Sequence, residues 1–189
     1  TSSTYRQHSE ASRASLRIDP ENHYFARQGR FRMDAEFIQD FVLKASGLLQ
    51  PGLYGEHTEH GSDALGEDIN RRSVYLLRKN IDVPPALKAF GARPREKSVI
   101  HRPESITPIQ ALASLNQPLV IDAARALAQQ IEQDASGDPL DYLYRKILQR
   151  HPLPEERKLF QQPDSVSSEA FWINQARTLL SLREATVRS

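Results

Sequence analysis

Apolar residues recur at intervals of three and four along most of the chain, the spacing of helices that bury one face. Polar segments that contain glycine and proline separate these stretches. The pattern predicts a mainly α fold: an irregular helical bundle with long loops and at most a small amount of β structure. The predicted helices cover about 34–49, two helices within 107–134, a short segment ending at residue 90, a helix from Pro139, a short one from Pro154, and about 168–184.

The clearest helical signal begins at Thr107 and Gln110, which have the spacing of a capping box. Pro108 takes the first helical position, where its missing N–H costs nothing. Pro118 would remove a hydrogen bond from a continuous helix, so we predict two helices that meet there, with Asn116 capping the second. The predicted buried face of the first helix contains Ile109, Leu112, Ala113 and Leu115.

The chain is predicted to form a single helical domain, 1–189. Residues 1–32 are polar and arginine-rich, and we predict an extended arm that packs on segments that are missing here or belong to a partner. Long loops are predicted at 51–70 and 91–106. The apolar run within 71–79 is too short for its periodicity to distinguish a strand from a helix.

Composition narrows the classes of function. The chain has 25 Lys and Arg against 24 Asp and Glu, a formal charge of +1, whereas a general nucleic-acid binder would show a clear basic excess. It has no cysteine, which excludes disulfides, thiolate metal ligands and cysteine nucleophiles within this chain. No stretch approaches the roughly 20 apolar residues of a membrane span. We therefore expect no nucleic-acid partner and no membrane span.

Five motifs follow one another in a specific order: TYRQ at 4–7, DPEN at 19–22, RRSVY at 71–75, TPIQALASLN at 107–116 and YRKILQRHPLPEE at 144–156. With this ordered set the chain resembles the C-terminal domain of unknown function of large planctomycete proteins that also carry a cytochrome-c-like domain. The resemblance extends over roughly Thr4 to Leu182. Because the chain begins partway through the family's domain, we expect the upstream helices of that domain to be missing or supplied elsewhere.

This resemblance implies an exported, multidomain parent protein, located in the periplasm or at the cell surface. It implies a haem in another domain of that parent and no cofactor in this chain. It supplies no established activity, although planctomycetes often encode such proteins near sulfatases, which suggests polysaccharide by association. Family members often carry a cysteine near Ser98, where this chain has none, so a thiol role does not transfer to that position.

The loop 51–70 holds the first candidate site. His57, Glu59 and His60 offer imidazole and carboxylate groups that suit zinc, iron or calcium. Their spacing is not the i, i+4 histidine pair of a zinc-protease helix. A solvated acidic loop without metal is the alternative interpretation, and the one we favour.

Arginines with histidine and tyrosine neighbours form the second candidate site. Guanidinium groups bind carboxylate, sulfate and phosphate well, so such a set could line a cleft for an anionic ligand. In the alternative interpretation, which we favour, the arginines pair with acidic side chains and cap helix ends. The candidate ligand-binding residues are Arg6, His8, Arg71, Arg72, Tyr75, His101 and Arg102.

No nucleophile elbow, catalytic-triad order or glycine-rich phosphate loop is visible in the sequence. We therefore expect a non-catalytic structural or interaction module that docks other domains or chains of its parent protein. The alternative is a binding or catalytic unit that acts on acidic or sulfated polysaccharide through the arginine-rich cleft. Whether the chain is an enzyme stays open at this point.

Overall fold

The computed structural model describes residues 2–3, 6–52, 54–55, 70–76, 83, 85–93, 107–134, 137–160 and 167–188. It confirms the predicted mainly α fold. A short ribbon pairs β1 (Phe31–Arg32) antiparallel with β2 (Val187–Arg188). Ser73–Tyr75 forms one turn of 3₁₀ helix, and the α-helices are α1 (Arg13–Ile18), α2 (Ala35–Ala45), α3 (Pro85–Ala89), α4 (Pro108–Asn116), α5 (Pro118–Asp134), α6 (Pro139–Ile147), α7 (Pro154–Leu159), α8 (Ser168–Ser181) and α9 (Arg183–Thr186).

The main core lies where α5 packs against α8, the most extensive contact between two helices. Leu127 of α5, Leu143 of α6 and Leu179 of α8 are completely buried there. Burial of one such side chain contributes roughly 1.5–3 kcal/mol to the free energy of unfolding. None of the helices in the described ranges is both long and apolar enough to cross a bilayer. A second, smaller cluster surrounds the start of α2, the 3₁₀ turn and α3, and contains Ala35, Leu76, Val83, Leu87 and Ala92.

The stretch 107–134 divides into two helices at the predicted place. The Thr107 hydroxyl accepts a hydrogen bond from the Gln110 N–H, and the Gln110 side chain accepts one from the Thr107 N–H, so the capping box is present. The second cap differs from the prediction: Gln117, not Asn116, precedes α5 in extended conformation (ψ 138°). Pro118 excludes the helical conformation for the residue before it, which places the boundary one residue later.

The predicted buried face of α4 is wrong. Ile109 and Leu112 are 69% and 63% exposed, whereas Gln110 and Ser114 are buried. Helices α3, α5 and α8 contact α4 from different sides, and Arg177 of α8 donates two hydrogen bonds to the carbonyl at the C-terminal end of α4. A nine-residue helix with apolar residues around much of its circumference can pack with different sides facing the core. In α4 the side that carries Gln110 and Ser114 is the buried one.

Helix α2 ends earlier than predicted and has two apolar faces. Gly47 adopts a left-handed conformation (φ 74°), and the Gln130 side chain donates to the Ser46 carbonyl at 2.6 Å, which closes the helix end. Ile38 and Val42 are buried in the core, whereas Phe37 is 58% exposed. The apolar residues of α2 therefore form a core face and a second, outward face.

The N-terminal arm contains a helix that the sequence analysis did not predict. Helix α1 begins at Ser12, whose hydroxyl accepts a hydrogen bond from the Ser15 N–H. Beyond it, Asp19 accepts hydrogen bonds from the His23 and Tyr24 N–H groups, and the bond from Tyr24 contributes most to holding the pKa of Asp19 below its usual range. The arm ends at β1, which pairs with the C-terminal strand of this same chain.

Arg150 connects the end of α6 with α7, which follows it in sequence, and with the distant α9. Its guanidinium donates two hydrogen bonds to Glu156 on α7 (2.7 and 2.8 Å) and two to Glu184 on α9 (2.6 and 2.9 Å). The same group lies 5.2 Å from the ring centroid of buried Tyr144. The hydrogen bonds from Arg150 hold the pKa of Glu156 below its usual range, and burial raises the pKa of Tyr144.

We expect Glu156→Gln to lower the free energy of unfolding at pH 7 by about 1–2 kcal/mol, because a charged pair of hydrogen bonds is lost. The folded-state pKa of Glu156 is depressed, so its contribution is present above the unfolded pKa of about 4.3 and disappears as the pH falls through the folded value. Urea denaturation of both proteins across pH 7 to 3 should show the difference shrinking toward acid. Glu155→Gln, an exposed neighbour on α7, serves as the control and should change little; a pH-independent difference for Glu156→Gln would contradict this account.

Candidate binding groove

An open groove of about 730 Å³ lies on the surface of the described part of the chain. It runs between the outward face of α2 and the C-terminal end of α6, with β1 at one side. Its lining combines aromatic rings with basic side chains: Phe31, Met33, Phe37, Asp40, Phe41, Lys44, Ala45, Leu49, Arg72, Arg145, Lys146 and Gln149.

The floor of the groove follows from the periodicity of α2. Phe37, Phe41 and Lys44 are spaced four and three residues apart, so they share one face of the helix. On β1, Phe31 lies two residues before Met33 and lines the same side. Phe31 and Phe37 are more than half exposed, which places two phenylalanine rings in contact with solvent at one recess. Clustered exposed aromatic residues mark interaction sites more often than isolated ones do.

The rim of the groove is basic. Lys44, Arg72, Arg145 and Lys146 line it, against the single carboxylate of Asp40 among the described lining residues. Arg145 and Lys146 come from the last turn of α6, where the negative end of the helix dipole stabilises cations.

Both carboxylate oxygens of Asp40 accept hydrogen bonds from other parts of the protein. One carboxylate oxygen accepts a hydrogen bond from the Ser73 N–H at 2.6 Å, and the other accepts from the Arg72 Nε at 3.4 Å. The buried Ser73 hydroxyl donates to the Glu36 carbonyl at 3.1 Å. These bonds fix the 3₁₀ turn on α2 and pair Arg72 with Asp40, so the positive character of the groove comes from Lys44, Arg145 and Lys146.

Arg71 and Tyr75 form a cluster beside this turn. The Arg71 guanidinium lies 4.4 Å from the Tyr75 ring centroid and donates to the Tyr54 carbonyl at 2.6 Å. The Tyr54 N–H donates to the Tyr75 hydroxyl at 3.1 Å. Three predicted site residues, Arg71, Arg72 and Tyr75, therefore lie on one turn, where each has a described contact that orders it.

The other predicted site residues lie elsewhere. Arg6 and His8 belong to the N-terminal arm, where the His8 carbonyl accepts the Gln28 N–H at 3.1 Å. His101 and Arg102 fall outside the described residues. The arginine-rich cleft as predicted thus remains a hypothesis, and the groove shares only Arg72 with it.

The candidate metal ligands His57, Glu59 and His60 also lie outside the described residues. Among the residues that the structure describes, no group of three or more His, Asp or Glu is arranged to hold a metal ion. The metal hypothesis for the loop 51–70 is therefore untested.

Sequence reasoning missed most of the groove. Lys44 follows Phe37 and Phe41 at helical spacing, and Arg145-Lys146 is a visible basic pair, but no pattern indicated that α2 and α6 enclose one recess. The signal that could have been used is the width of the apolar stripe on α2: Phe37, Ile38, Phe41 and Val42 spread over roughly 140° of the helix, so a residue at the edge of the stripe can stay exposed.

Residues 1–163 match the family model described as PSD1: Protein of unknown function (DUF1553). The chain belongs to this family. No curated protein and no solved structure matched it. The DUF1553 match confirms the resemblance to a domain of unknown function, while the planctomycete, cytochrome-c and export context stays an expectation. Helices α8 and α9 and strand β2 lie beyond the matched range.

We expect Asp40→Ala to lower the free energy of unfolding by about 1–3 kcal/mol, because the Ser73 N–H loses its acceptor in a largely buried position. Chemical denaturation measures this directly. Asp122→Ala is the matched control, since Asp122 is exposed and pairs with Arg125 on its own helix, and its effect should stay within about 0.5 kcal/mol. Equal effects of the two substitutions would show that Asp40 does not hold the 3₁₀ turn on α2.

Proposed function

We propose that this DUF1553 chain is a non-catalytic interaction module of a larger, exported, haem-associated protein. In this proposal the groove between α2 and α6 binds an acidic, amphipathic segment of another domain or chain of that protein. The observation that carries the proposal is the combination of an exposed aromatic floor with a basic rim in one recess.

Charge complementarity supports an acidic partner. Lys44, Arg145 and Lys146 surround the groove, whereas Arg72 forms an ion pair with Asp40, the one acidic side chain among the described lining residues. The described rim charges that remain are therefore all positive. Rim charges of one sign raise the association rate of an oppositely charged partner and exclude like-charged ones.

The floor supports a partner that also has apolar side chains. Phe31 and Phe37 expose more than half of their surface to water. Covering one such ring contributes up to about 1.5–3 kcal/mol, and aromatic anchors in a recess often dominate the energy of an interface. A segment with glutamate or aspartate beside leucine or phenylalanine would cover the exposed phenylalanine rings of the floor and pair with the basic side chains of the rim.

Acidic or sulfated polysaccharide is the second candidate ligand. Two rim cations, Arg72 and Arg145, carry guanidinium groups, whose planar donors match carboxylate and sulfate. The predominantly apolar floor favours the protein segment over a polysaccharide, because three phenylalanines and a methionine offer few hydrogen bonds to sugar hydroxyls.

Site-specific photo-crosslinking in the full-length parent protein would test the proposal. A photoreactive residue in place of Phe37 should crosslink to an acidic segment of another domain or chain, which mass spectrometry identifies. The same residue in place of Leu159, an exposed position on α7 outside the groove, should not give this product. The double substitution Lys44→Glu, Arg145→Glu should lower the yield by at least about tenfold, because two attractive rim charges become repulsive.

The double variant Arg125→Glu, Lys158→Glu makes the same change in net charge at exposed positions outside the groove, and it should retain the crosslink. Crosslinks from Phe37 to glycan would favour the polysaccharide candidate. Equal yields from positions 37 and 159 would refute docking in the groove.

A further inference from the structure

The N-terminal arm exposes four large apolar side chains within ten residues. Leu16 and Ile18 of α1 are 46% and 79% exposed, and Tyr24 and Phe25, in the loop that follows, are 80% and 68% exposed. The loop returns to the end of α1, because the Tyr24 N–H donates to the carboxylate of Asp19, the residue after Ile18. The four side chains therefore belong to one compact stretch of surface, of the kind that marks a binding site.

Hydrogen bonds inside the loop constrain the backbone that carries the two aromatic residues. The side-chain oxygen of Asn22 accepts the Arg27 N–H at 3.2 Å, and its side-chain nitrogen donates to the Arg27 carbonyl at 2.7 Å. The Arg27 guanidinium donates to the carbonyls of Asp19 and Pro20 at 2.9 and 2.6 Å. Phe25 adopts a left-handed conformation (φ 51°), which is uncommon for a bulky residue. A loop ordered in advance loses less entropy when a partner covers it.

Helix α1 carries cations that the described part of the chain does not neutralise. Arg13 and Arg17 are exposed, and neither forms an ion pair with a described residue. They lie four residues apart on one helix face, where like charges repel each other. None of the six residues of α1 is buried, and so short a helix is marginal in water without packing. A partner that covers this face would supply both the missing negative charge and the missing packing.

The name arm surface is used for Arg13, Leu16, Arg17, Ile18, Tyr24 and Phe25. We propose that the arm surface binds an acidic surface of another protein domain or chain. Carboxylates of the partner pair with the two arginines, and its apolar side chains cover the two aromatic rings. The proposal shares with the proposed function only the premise of a larger parent protein, and it does not depend on what the groove between α2 and α6 binds.

Two other occupants fit the charges less well. The groove of a second copy of this chain has a basic rim, which repels the arginines of α1. An anionic bilayer would attract those arginines. However, the Glu21 side chain is 76% exposed in the same loop as Tyr24 and Phe25, so insertion of the rings would bring its carboxylate to the lipid headgroups. A protein surface can place its acidic groups beside the arginines and away from Glu21.

Site-specific crosslinking in the full-length parent protein tests the arm surface. A photoreactive residue in place of Phe25 should crosslink to an Asp- and Glu-rich segment outside residues 1–189, which mass spectrometry identifies. The same residue in place of Leu159 should not give this product. Arg13→Glu combined with Arg17→Glu should lower the yield at least about tenfold, because both attractive charges become repulsive. Arg125→Glu combined with Lys158→Glu makes the same change in net charge outside the arm and should retain the crosslink.

The groove variant Lys44→Glu, Arg145→Glu should leave the crosslink from position 25 unchanged, which separates a failure of this proposal from a failure of the proposed function. Vesicles of phosphatidylglycerol and phosphatidylcholine probe the membrane alternative. Binding of the parent protein to them that requires Tyr24 and Phe25 would overturn the proposal. So would a crosslink from position 25 only to this chain or to a second copy, equal yields from positions 25 and 159, or an undiminished yield from the Arg13→Glu, Arg17→Glu protein.

Discussion

The four hydrogen bonds that Arg150 donates to Glu156 and Glu184 connect α9, at the C-terminal end of the described chain, to α7. Glu184 belongs to the single turn α9, which leads directly into β2. Strand β2 pairs with β1, and β1 presents Phe31 to the groove. The ribbon has only two residues on each strand and would be marginal alone, because so short a ladder makes few hydrogen bonds. A charge-assisted contact at α9 therefore supports the placement of residues that are more than 100 positions away.

Helix α2 couples the core to the groove. Its buried face, with Ile38 and Val42, fastens the helix to the rest of the fold, and its outward face carries Phe37. Phe41 takes part in both, since it packs against the main core cluster and lines the groove. Because the core fixes α2, the exposed aromatic residues are held by a rigid element, which lowers the entropy cost of binding a partner.

The folded unit extends past the residues that match the DUF1553 family model. The match ends at residue 163, yet α8 beyond it contributes Ala176, Leu179 and Leu180 to the main core. Without α8, the apolar face of α5 around Leu127 would be exposed to water. The matched range therefore includes the groove residues but lacks part of the packing that stabilises them, and it lacks the β2 residues that pair with β1.

The sequence by itself determined most of the helices, the N-terminal caps of α4 and α6, and the family. Local chemistry suffices there: Thr107 and Gln110 satisfy each other's N–H groups, and Asp138 caps α6 by accepting the Leu140 N–H ahead of its proline. The rotation of each helix about its own axis, and the elements that pack against it, were decided only by tertiary structure. The reason is that periodicity defines an apolar face without defining what covers it. Ile109 and Leu112 fit the predicted buried face of α4 and are exposed, and the apolar stripe of α2 leaves Phe37 exposed at its edge. The groove arises from α2, α6 and β1, which are separated in sequence and meet only in the folded chain.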